Sequence, residues 1–437
     1  MRKFGFCLCA VGVLLVLGSA AKADCPQVQP EGWEVFPAVV VRSGPPALRA
    51  NLRDQDRYSV IWAQDSGQVH ERRILANFHN TNDHETLDHI LVSVTNPRDE
   101  GTSLDTPSLA ALPASGEYRW FASWCRKGII ELIDVFLRKF SESFVPEDYD
   151  FIATNDDDGQ QVNARIDEMP TTGRFVHTYQ QPESIMESVI YGQIFDATGT
   201  PISAEFPVSS EGPHVDMDPW VAAYWYESDR FVVVWRRLDD IEMDKHHIMA
   251  RIFDESGVPL SPEIAVTTQM GSHAAPVVQA ESSGFVVVWT KDDGGASYAM
   301  FRTFDENGNA YTDPMVAAYS ENQGIDRAFV ALSIWSDGTV RPAPYFTVTW
   351  LRKEILEDGG ALTFPEMRLF KFLLSPVPLT DDIRLSDLGS SNAPTGAHVW
   401  AELFTGCSGD LRIGFVWPFV ASFNEQLVTG IKKLFVA

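Results

Sequence analysis

Two stretches, SDRFVVVWRR at residues 228–237 and SSGFVVVWTK at residues 282–291, are near copies of one apolar run that ends in Trp. Each run is short, rich in β-branched and aromatic residues, and bounded by Gly, Asp and Ser, which is typical of a β-strand. Successive positions are apolar, so both faces of the strand must be covered. The recurrence therefore predicts a repeated β-unit that stacks against its neighbours.

The unit can be followed along most of the chain. It consists of a proline, a short apolar strand, a polar turn, the run ending in an aromatic residue, a further strand and Phe-Asp-x-x-Gly. In that last motif Asp and Gly favour a tight hairpin turn, because Gly adopts positive φ without strain. Seven aromatic residues mark the ends of the runs at similar intervals: Trp62, Trp124, Tyr179, Trp235, Trp289, Trp350 and Trp417.

This repeat predicts an all-β protein, a β-propeller of seven four-stranded blades in one domain over residues 24–437. In each blade the FVVVW run is the second strand, and its Trp packs between adjacent sheets. The segment WEVFPAVVV at 33–41 matches PEIAVTT at 262–268, which falls where a fourth strand is expected. We therefore expect the N-terminal strand to complete the last blade and close the ring without an open edge.

The repeated residues resemble the tandem GFVVVW…FDxxGxP units of secreted bacterial proteins. Such units are often found in large surface or calcium-associated polypeptides and are taken to be propeller-like. The match is best over residues 160–310. The resemblance implies the fold and export from the cell, and it implies almost nothing about activity, because propellers host enzymes, lectins and scaffolds alike.

The N-terminus has the features of a secretory signal peptide over residues 1–23. Arg2 and Lys3 precede an apolar stretch, and Ala21-Lys22-Ala23 forms an A-x-A cleavage site. A lipid anchor on Cys25 is the competing interpretation, but charged residues stand where a lipid-attachment motif has small or apolar ones. No later segment has the roughly 20 apolar residues of a membrane-spanning helix. We predict an exported protein, periplasmic or extracellular, without a membrane span.

The charge of the chain limits the classes of partner it can bind, and its cysteines allow a disulfide. The chain has 34 Lys and Arg against 60 Asp and Glu, a formal net charge of −26. That balance disfavours nucleic acid, whose phosphates need basic patches, and it suits a solvated surface or one that attracts cations. Of five cysteines, two leave with the signal peptide. Cys25 and Cys407 are predicted to pair, because Cys407 lies in the first turn of the last blade and Cys25 just ahead of the donated strand, at the same end of that blade.

The stretch HNTNDHETLDH at 79–89 is the most metal-like in the chain. Imidazole and carboxylate groups are zinc ligands, but the His-x-x-x-His spacing of a helical zinc site is missing. The stretch also falls between the third and fourth strands of a blade, so a polar loop is favoured over an ion site. The candidate ligands are His79, Asp83, His84 and His89.

A second constellation consists of acidic residues that follow the aromatic strand ends. Because those loops share one face of a propeller, the carboxylates are expected to form an acidic rim that could hold Ca²⁺ or a basic partner. Solvation of exposed turns is favoured over such a site as the explanation of these carboxylates. A glycoside hydrolase would use two such carboxylates as acid and base, at a separation that the sequence does not reveal. The rim candidates are Asp239, Asp240, Asp292 and Asp293.

These observations predict a binding or scaffold module that engages a protein partner outside the cytoplasm, without a catalytic site or cofactor. The alternative is a carbohydrate-binding propeller, with or without hydrolysis, and a third hypothesis is a Ca²⁺-dependent surface protein. The carbohydrate alternative needs an exposed aromatic platform. Its candidates are the tryptophans outside the strand-end position: Trp33, Trp120, Trp220, Trp225, Trp335 and Trp400.

Overall fold

The chain is built of β-strands. The computed structural model describes residues 33–36, 47–50, 57–65, 72–80, 86–92, 107–114, 117–127, 133–141, 144–147, 150–154, 159–169, 171–184, 186–224, 230–240, 245–321, 325–332, 345–356, 361–372, 376–385, 400–405, 411–421 and 424–434. Within these ranges all long elements are strands and no helix occurs, so none of the described segments is a helix able to cross a membrane. The all-β prediction is confirmed.

The strands follow one another in antiparallel groups. The first sheet contains β2 (Ala47–Ala50), β3 (Arg57–Asp65), β4 (Arg72–Asn80) and β5 (Thr86–Leu91). The second contains β6 (Ser108–Ala114), β7 (Glu117–Lys127), β8 (Ile133–Phe140) and β9 (Phe151–Ile152).

The central sheet is double. Its first half contains β10 (Val162–Met169), β11 (Arg174–Pro182), β12 (Ser188–Phe195) and β13 (Phe206–Pro207). Its second half contains β14 (Val215–Ala223), β15 (Phe231–Asp240), β16 (Lys245–Phe253) and β17 (Ile264–Ala265). The halves are joined by one parallel pairing, of Ser188 with Val215. Each half is therefore an antiparallel group like the sheets before it.

Three further sheets complete the described chain. One contains β18 (Ser272–Glu281), β19 (Gly284–Asp292), β20 (Ala296–Asp305) and β21 (Met315–Glu321). The next contains β22 (Ile325–Leu332), β23 (Tyr345–Ile355), β24 (Ala361–Lys371), β25 (Val377–Pro378) and β26 (Ile383–Arg384). The last contains β27 (Trp400–Thr405), β28 (Leu411–Ala421) and β29 (Asn424–Leu434), with β1 (Trp33–Phe36) as its fourth strand.

The first strands of the groups lie against one another. Each first strand contacts the first strand of the next group, in the order β2, β6, β10, β14, β18, β22 and β27. The last of them, β27, also contacts β2. At the sheet that unites the chain ends, β1 pairs antiparallel with β29, from Trp33 opposite Gly430 to Phe36 opposite Leu427. The expected addition of the N-terminal strand to the last sheet is thus present in the backbone.

The repeated phenylalanines are one packing unit. The first residue of the FVVVW run is the cross-strand partner of the Phe in Phe-Asp-x-x-Gly, and the two rings stack. Phe231 and Phe253 have centroids 5.2 Å apart and planes 7° apart, and Phe285 and Phe304 are 4.7 Å and 6° apart. Two halves of the sequence repeat therefore recur together because their aromatic rings contact each other.

The Asp-x-x-Gly turns have the predicted chemistry. Oδ1 of Asp254 accepts hydrogen bonds from the backbone N–H groups of Ser256 and Val258, both at 2.9 Å, and Gly257 has φ +83°. The corresponding turns at Asp196 and Asp305 have the same bonds. The carboxylate thus replaces missing backbone partners, while glycine supplies the left-handed conformation.

Arginine side chains join neighbouring groups. In three groups an arginine stands two residues before the Phe near the end of the third strand. It donates a hydrogen bond to a backbone carbonyl just after the fourth strand of the preceding group. Arg302 Nη1 lies 2.8 Å from the Val266 oxygen, and Arg251 Nη1 lies 3.0 Å from the Val208 oxygen. Arg138 makes the equivalent bond in the second sheet. These bonds satisfy carbonyls that lie just beyond the end of a fourth strand.

The strand-end aromatics are buried, as predicted. Their exposed fractions are 1% or less at Trp124, Tyr179, Trp235, Trp289 and Trp350. The side chains of Trp62 and Trp417 lie outside the described part. However, the strands do not end at the aromatic residue, because backbone pairing continues after the apolar run stops: β15 extends to Asp240 and β19 to Asp292.

One buried histidine predicts an acid-sensitive stability. His177 in β11 is fully buried beside Ser123, and burial lowers its pKa to about 3. The unfolded chain takes up this proton near pH 6.5, so stability is lost as the pH falls from about 6.5 towards 3. His177→Gln is expected to reduce that dependence by up to about 1.4 kcal/mol per pH unit. Urea unfolding of both proteins from pH 7 to pH 4 measures how the free energy of unfolding changes with pH. An equal pH dependence in the variant and the wild type would contradict this prediction.

Candidate functional site

Four consecutive first strands contain a β-bulge at the same place. The register shifts between Val162 and Arg165 in β10, between Met217 and Trp220 in β14, between Ala274 and Val277 in β18, and between Asp326 and Phe329 in β22. Inside the first three bulges, non-glycine residues have positive φ: Asn163 at 57°, Asp218 at 55° and Ala275 at 50°. Such conformations are uncommon outside glycine, and bulges often redirect a side chain beside a functional site.

The bulges correct the expected start of the repeat. The unit was predicted to begin at its proline, yet β14 begins at Val215 and β18 at Ser272, several residues earlier. Pro219 and Pro276 instead follow the positive-φ residue within the bulge. Proline has no N–H to donate, and a bulge is a place in a sheet where that donor is not needed.

The bulges bring polar side chains of two neighbouring groups together. Nδ2 of Asn163 donates to Oε1 of Gln180 at 2.9 Å and lies 3.4 Å from Oδ1 of Asp218. The other carboxylate oxygen of Asp218 is 2.9 Å from Nη2 of Arg236. The Asp218 side chain is 37% exposed and that of Arg236 is 22% exposed. We call Asn163, Gln180, Asp218 and Arg236 the polar bulge cluster.

The central carboxylate of the cluster, that of Asp218, is partly exposed, whereas Nε of Arg236 is buried and has no hydrogen-bond partner among the described residues. Val162 pairs with Gln180 and Met217 pairs with Arg236, so the cluster lies where first strands begin and second strands approach their ends. A ligand arriving at this end of the sheets would meet acceptors and donors side by side.

A second, buried ionic network supports the cluster from within the β14–β17 group. Arg237 donates to both carboxylate oxygens of Asp216, at 2.7 and 2.8 Å, and to Glu263 at 2.7 and 3.1 Å. Burial acts to lower the pKa of Arg237, but these bonds outweigh it and raise the pKa. For Glu263 burial acts in the opposite sense, and the bonds from Arg237 and Ser210 lower its pKa. Arg237 therefore stays charged and holds the strands beside the cluster.

This arrangement suits binding better than acid–base hydrolysis. The carboxylate of Asp218 accepts hydrogen bonds, the amide of Asn163 both donates and accepts, and Arg236 donates. Glycoside hydrolysis needs two carboxyl groups with separate roles on opposite sides of a bond. Asp216, the nearest second carboxylate along β14, is 0% exposed and held by Arg237. The cluster therefore presents one accessible carboxylate.

The predicted acidic rim is only partly a loop. Asp239 and Asp240 end strand β15, and Asp292 ends β19, so three of the four rim residues are in strands. Asp293 begins a turn: Oδ1 accepts from the Ala296 N–H at 2.8 Å and Oδ2 from the Tyr298 hydroxyl at 2.8 Å. These bonds lower the pKa of Asp293. In the described part no three metal-ligating side chains converge, so Ca²⁺ at the rim stays a prediction.

The other predicted sites fall largely outside the described residues. His79 lies in β4 and His89 in β5, where the backbone is described, whereas Asp83 and His84 fall outside. Cys25 and Cys407 also fall outside, and their disulfide stays a prediction.

The expected aromatic platform is not formed by the tryptophans that the structure describes. Trp120 is 0% exposed and Trp220 7% exposed, so both belong to the core. Instead, Tyr319 is 45% exposed. Its partner ring, Tyr298, is 21 residues earlier in the chain and joins it only through strand pairing. No local sequence signal indicates that contact.

Comparisons with known proteins leave the family open. No protein-family model and no curated protein matches the chain. Similar solved structures include the polysaccharide lyase Uly1, with 9% identity, a TM-score of 0.49 and coverage of 90% of each chain. A variant of the α-L-arabinofuranosidase arb93a from Fusarium graminearum has 10% identity and a TM-score of 0.48, covering 77% of this chain and 96% of its own. The α-L-arabinanase of Penicillium chrysogenum has 11% identity and a TM-score of 0.47, covering 73% and 92%. Likeness at this distance does not assign a ligand.

Proposed function

We propose that this protein is an exported β-propeller of seven four-stranded blades that binds carbohydrate. Seven antiparallel strand groups support the blade count, if the double central sheet is taken as two blades. The contact of β27 with β2 and the pairing of β1 with β29 support ring closure. In such a ring the first strands surround the axis, and the polar bulge cluster lies at one mouth of the central channel.

The polar bulge cluster is the main observation in favour of carbohydrate as the ligand. A sugar presents hydroxyl groups that donate and accept, and the cluster offers a carboxylate on Asp218 with the Asn163 amide 3.4 Å from one of its oxygens and the Arg236 guanidinium 2.9 Å from the other. Sites for small polar ligands use a few such convergent groups on a rigid frame. The positive-φ backbone of the bulges at Asn163 and Asp218 sets the direction of these side chains.

The protein-partner hypothesis has weaker support. A docking face for a protein is expected to be a broad apolar patch. Among the side chains that the structure describes, the exposed large apolar residues are instead spread over five successive groups, from Val145 in the second group to Leu379 in the sixth. Scattered apolar residues of this kind are normal on a protein surface.

Charge favours an uncharged ligand. The net charge of −26 repels polyanions, so uronic acid polymers and sulfated glycans are disfavoured. The proposed ligand is a neutral polysaccharide or one of its oligosaccharides.

Asp218→Asn tests the proposal. The variant keeps the side-chain shape but removes the charge that strengthens hydrogen bonds to sugar hydroxyls, so affinity is expected to fall by about 10- to 100-fold, equivalent to about 1.4–3 kcal/mol. Affinity electrophoresis in gels containing arabinan, xylan or galactomannan measures it. Asp313→Asn, at an exposed position just before β21, is the matched control. Retention of the wild type by none of these glycans would overturn the proposal, and a stoichiometric protein partner in a pull-down would then favour the protein-partner hypothesis.

A further inference from the structure

We infer that a second sugar-binding surface lies on the β18–β21 sheet, formed by the rings of Tyr298 and Tyr319 with Asp293 and Lys291 at its edge. We call these four residues the tyrosine platform. The inference rests on the proposed function for its ligand class, and it adds the form of the ligand: a single soluble chain of a neutral polysaccharide that contacts the platform and the polar bulge cluster together.

The two rings form a cross-strand pair in which Tyr298 is partly buried against the core and Tyr319 is exposed. Tyr298 in β20 is directly opposite Tyr319 in β21, with ring centroids 5.2 Å apart and planes inclined by 40°. The Phe285–Phe304 pair of the same sheet is buried, whereas Tyr319 is 45% exposed. Burial of apolar area therefore explains the phenylalanine pair and does not explain the exposed tyrosine.

The platform depends on a long fourth strand. The fourth strands β9, β13, β17 and β25 have two residues each, whereas β5 has six and β21 has seven, Met315–Glu321. The extension places Tyr319 beside Tyr298. The two-residue strands show that these groups form without such an extension, so the extra residues are available for binding.

Polar groups surround the two rings. The Tyr298 hydroxyl donates to Oδ2 of Asp293 at 2.8 Å, which fixes the ring, and Nζ of Lys291 lies 5.5 Å from the ring centroid. The Tyr319 hydroxyl is 3.3 Å from Oε1 of Glu321. An aromatic face accepts the C–H face of a sugar ring, while carboxylate and ammonium groups at the edge exchange hydrogen bonds with its hydroxyls.

The platform faces the same end of the sheets as the polar bulge cluster. Ser272 at the start of β18 pairs with Asp292, Asp292 with Ser297, and Ser297 with Ser320, so this row crosses the whole sheet at one end. The tyrosine pair is the next row. Since β18 lies against β14, which contains Asp218, one extended ligand can follow this end from the cluster to the platform.

The ligand form follows from the ring geometry and charge. Two rings inclined by 40° form a shallow V, which fits successive sugars of a twisted single chain better than the flat surface of a crystalline polymer. The carboxylates of Asp293 and Glu321 would repel a polyanion. The platform therefore selects a neutral, soluble chain.

The test compares a polysaccharide with its own trisaccharide. Tyr319→Thr removes the ring and keeps a residue favoured in strands. It is expected to weaken binding of the polysaccharide at least fivefold and to leave trisaccharide binding at the polar bulge cluster unchanged, because only the long chain reaches both surfaces. Affinity electrophoresis with galactomannan, arabinan or xylan and calorimetry with the matching trisaccharide measure the two effects. Tyr319→Phe is expected to keep wild-type binding, and Val316→Ala, at an exposed position of the same strand, is the control.

The outcomes separate this inference from the proposed function. Unchanged polysaccharide binding in Tyr319→Thr, with weaker binding in Asp218→Asn, overturns the platform and leaves the proposed function standing. Equal loss for polysaccharide and trisaccharide in Tyr319→Thr also overturns the platform, since it indicates a structural role. Wild-type protein that binds none of the three glycans overturns both. Loss confined to the polysaccharide, with rescue by Tyr319→Phe, supports the platform.

Discussion

Gly284→Ala is expected to lower the free energy of unfolding by about 3–5 kcal/mol, combining backbone strain with a steric clash. Gly284 is the first residue of strand β19 and has φ +152°, a conformation that other residues rarely adopt. A Cβ atom there would lie 2.0 Å from the backbone oxygen of Phe304 and 3.0 Å from its carbonyl carbon. That carbonyl belongs to the paired strand β20, so it cannot move without disturbing the β19–β20 ladder.

Gly294→Ala is the matched control. Gly294 has φ +86°, but a Cβ atom there meets no other atom within 4 Å. Only backbone strain is added, and the expected loss is about 1 kcal/mol. Urea unfolding at neutral pH compares the two variants with the wild type. Equal losses at the two positions would show that the contact with Phe304 does not decide the cost.

Trp289→Ala is expected to lower the free energy of unfolding by about 3–5 kcal/mol, the range for removing a large aromatic side chain from a core. Trp289 is 1% exposed in the largest apolar cluster, and its Nε1 donates to Nδ1 of His273 at 3.2 Å. Burial lowers the pKa of His273 to about 4, so this nitrogen accepts the bond at neutral pH. The substitution therefore removes packing and also leaves a buried acceptor without its donor.

Phenylalanine variants separate these two contributions. Trp235 is the equivalent residue of the preceding group and is equally buried, but its Nε1 has no hydrogen-bond partner among the described residues. Trp289→Phe is expected to lower the free energy of unfolding by about 1 kcal/mol more than Trp235→Phe does, because a hydrogen bond such as that to His273 contributes about this much. Urea unfolding of both variants measures this difference. A larger loss in Trp235→Phe would rule out a stabilising contribution from His273.

Local chemistry made much of the fold predictable. The FVVVW runs are second strands and their aromatics are buried, because a continuous apolar run is stable only when both faces are covered. The Asp-x-x-Gly turns form as expected, because their hydrogen bonds join residues two to four positions apart. The match between 33–41 and 262–268 predicted the addition of β1 to the last sheet, because equivalent strands fill equivalent places.

The candidate site was less predictable, because its residues are neighbours only across strands and groups. Asn163 and Asp218 belong to neighbouring groups, and a bulge in the first strand of each group brings their side chains within 3.4 Å. The acidic residues after the aromatic strand ends were expected in loops, but pairing extends through Asp240 because His246 and Lys245 continue the opposite strand.

The amino-acid sequence by itself determined the repeat, the strand character of each run, the turn chemistry and the place of the first strand. These properties depend on covering an apolar run and on short-range hydrogen bonds. Only the tertiary structure decided which polar side chains meet, where the bulges occur, how Arg302 joins two groups and that Tyr298 stands opposite Tyr319. Such contacts depend on the register of paired strands, and register is set jointly by segments that are far apart in the chain.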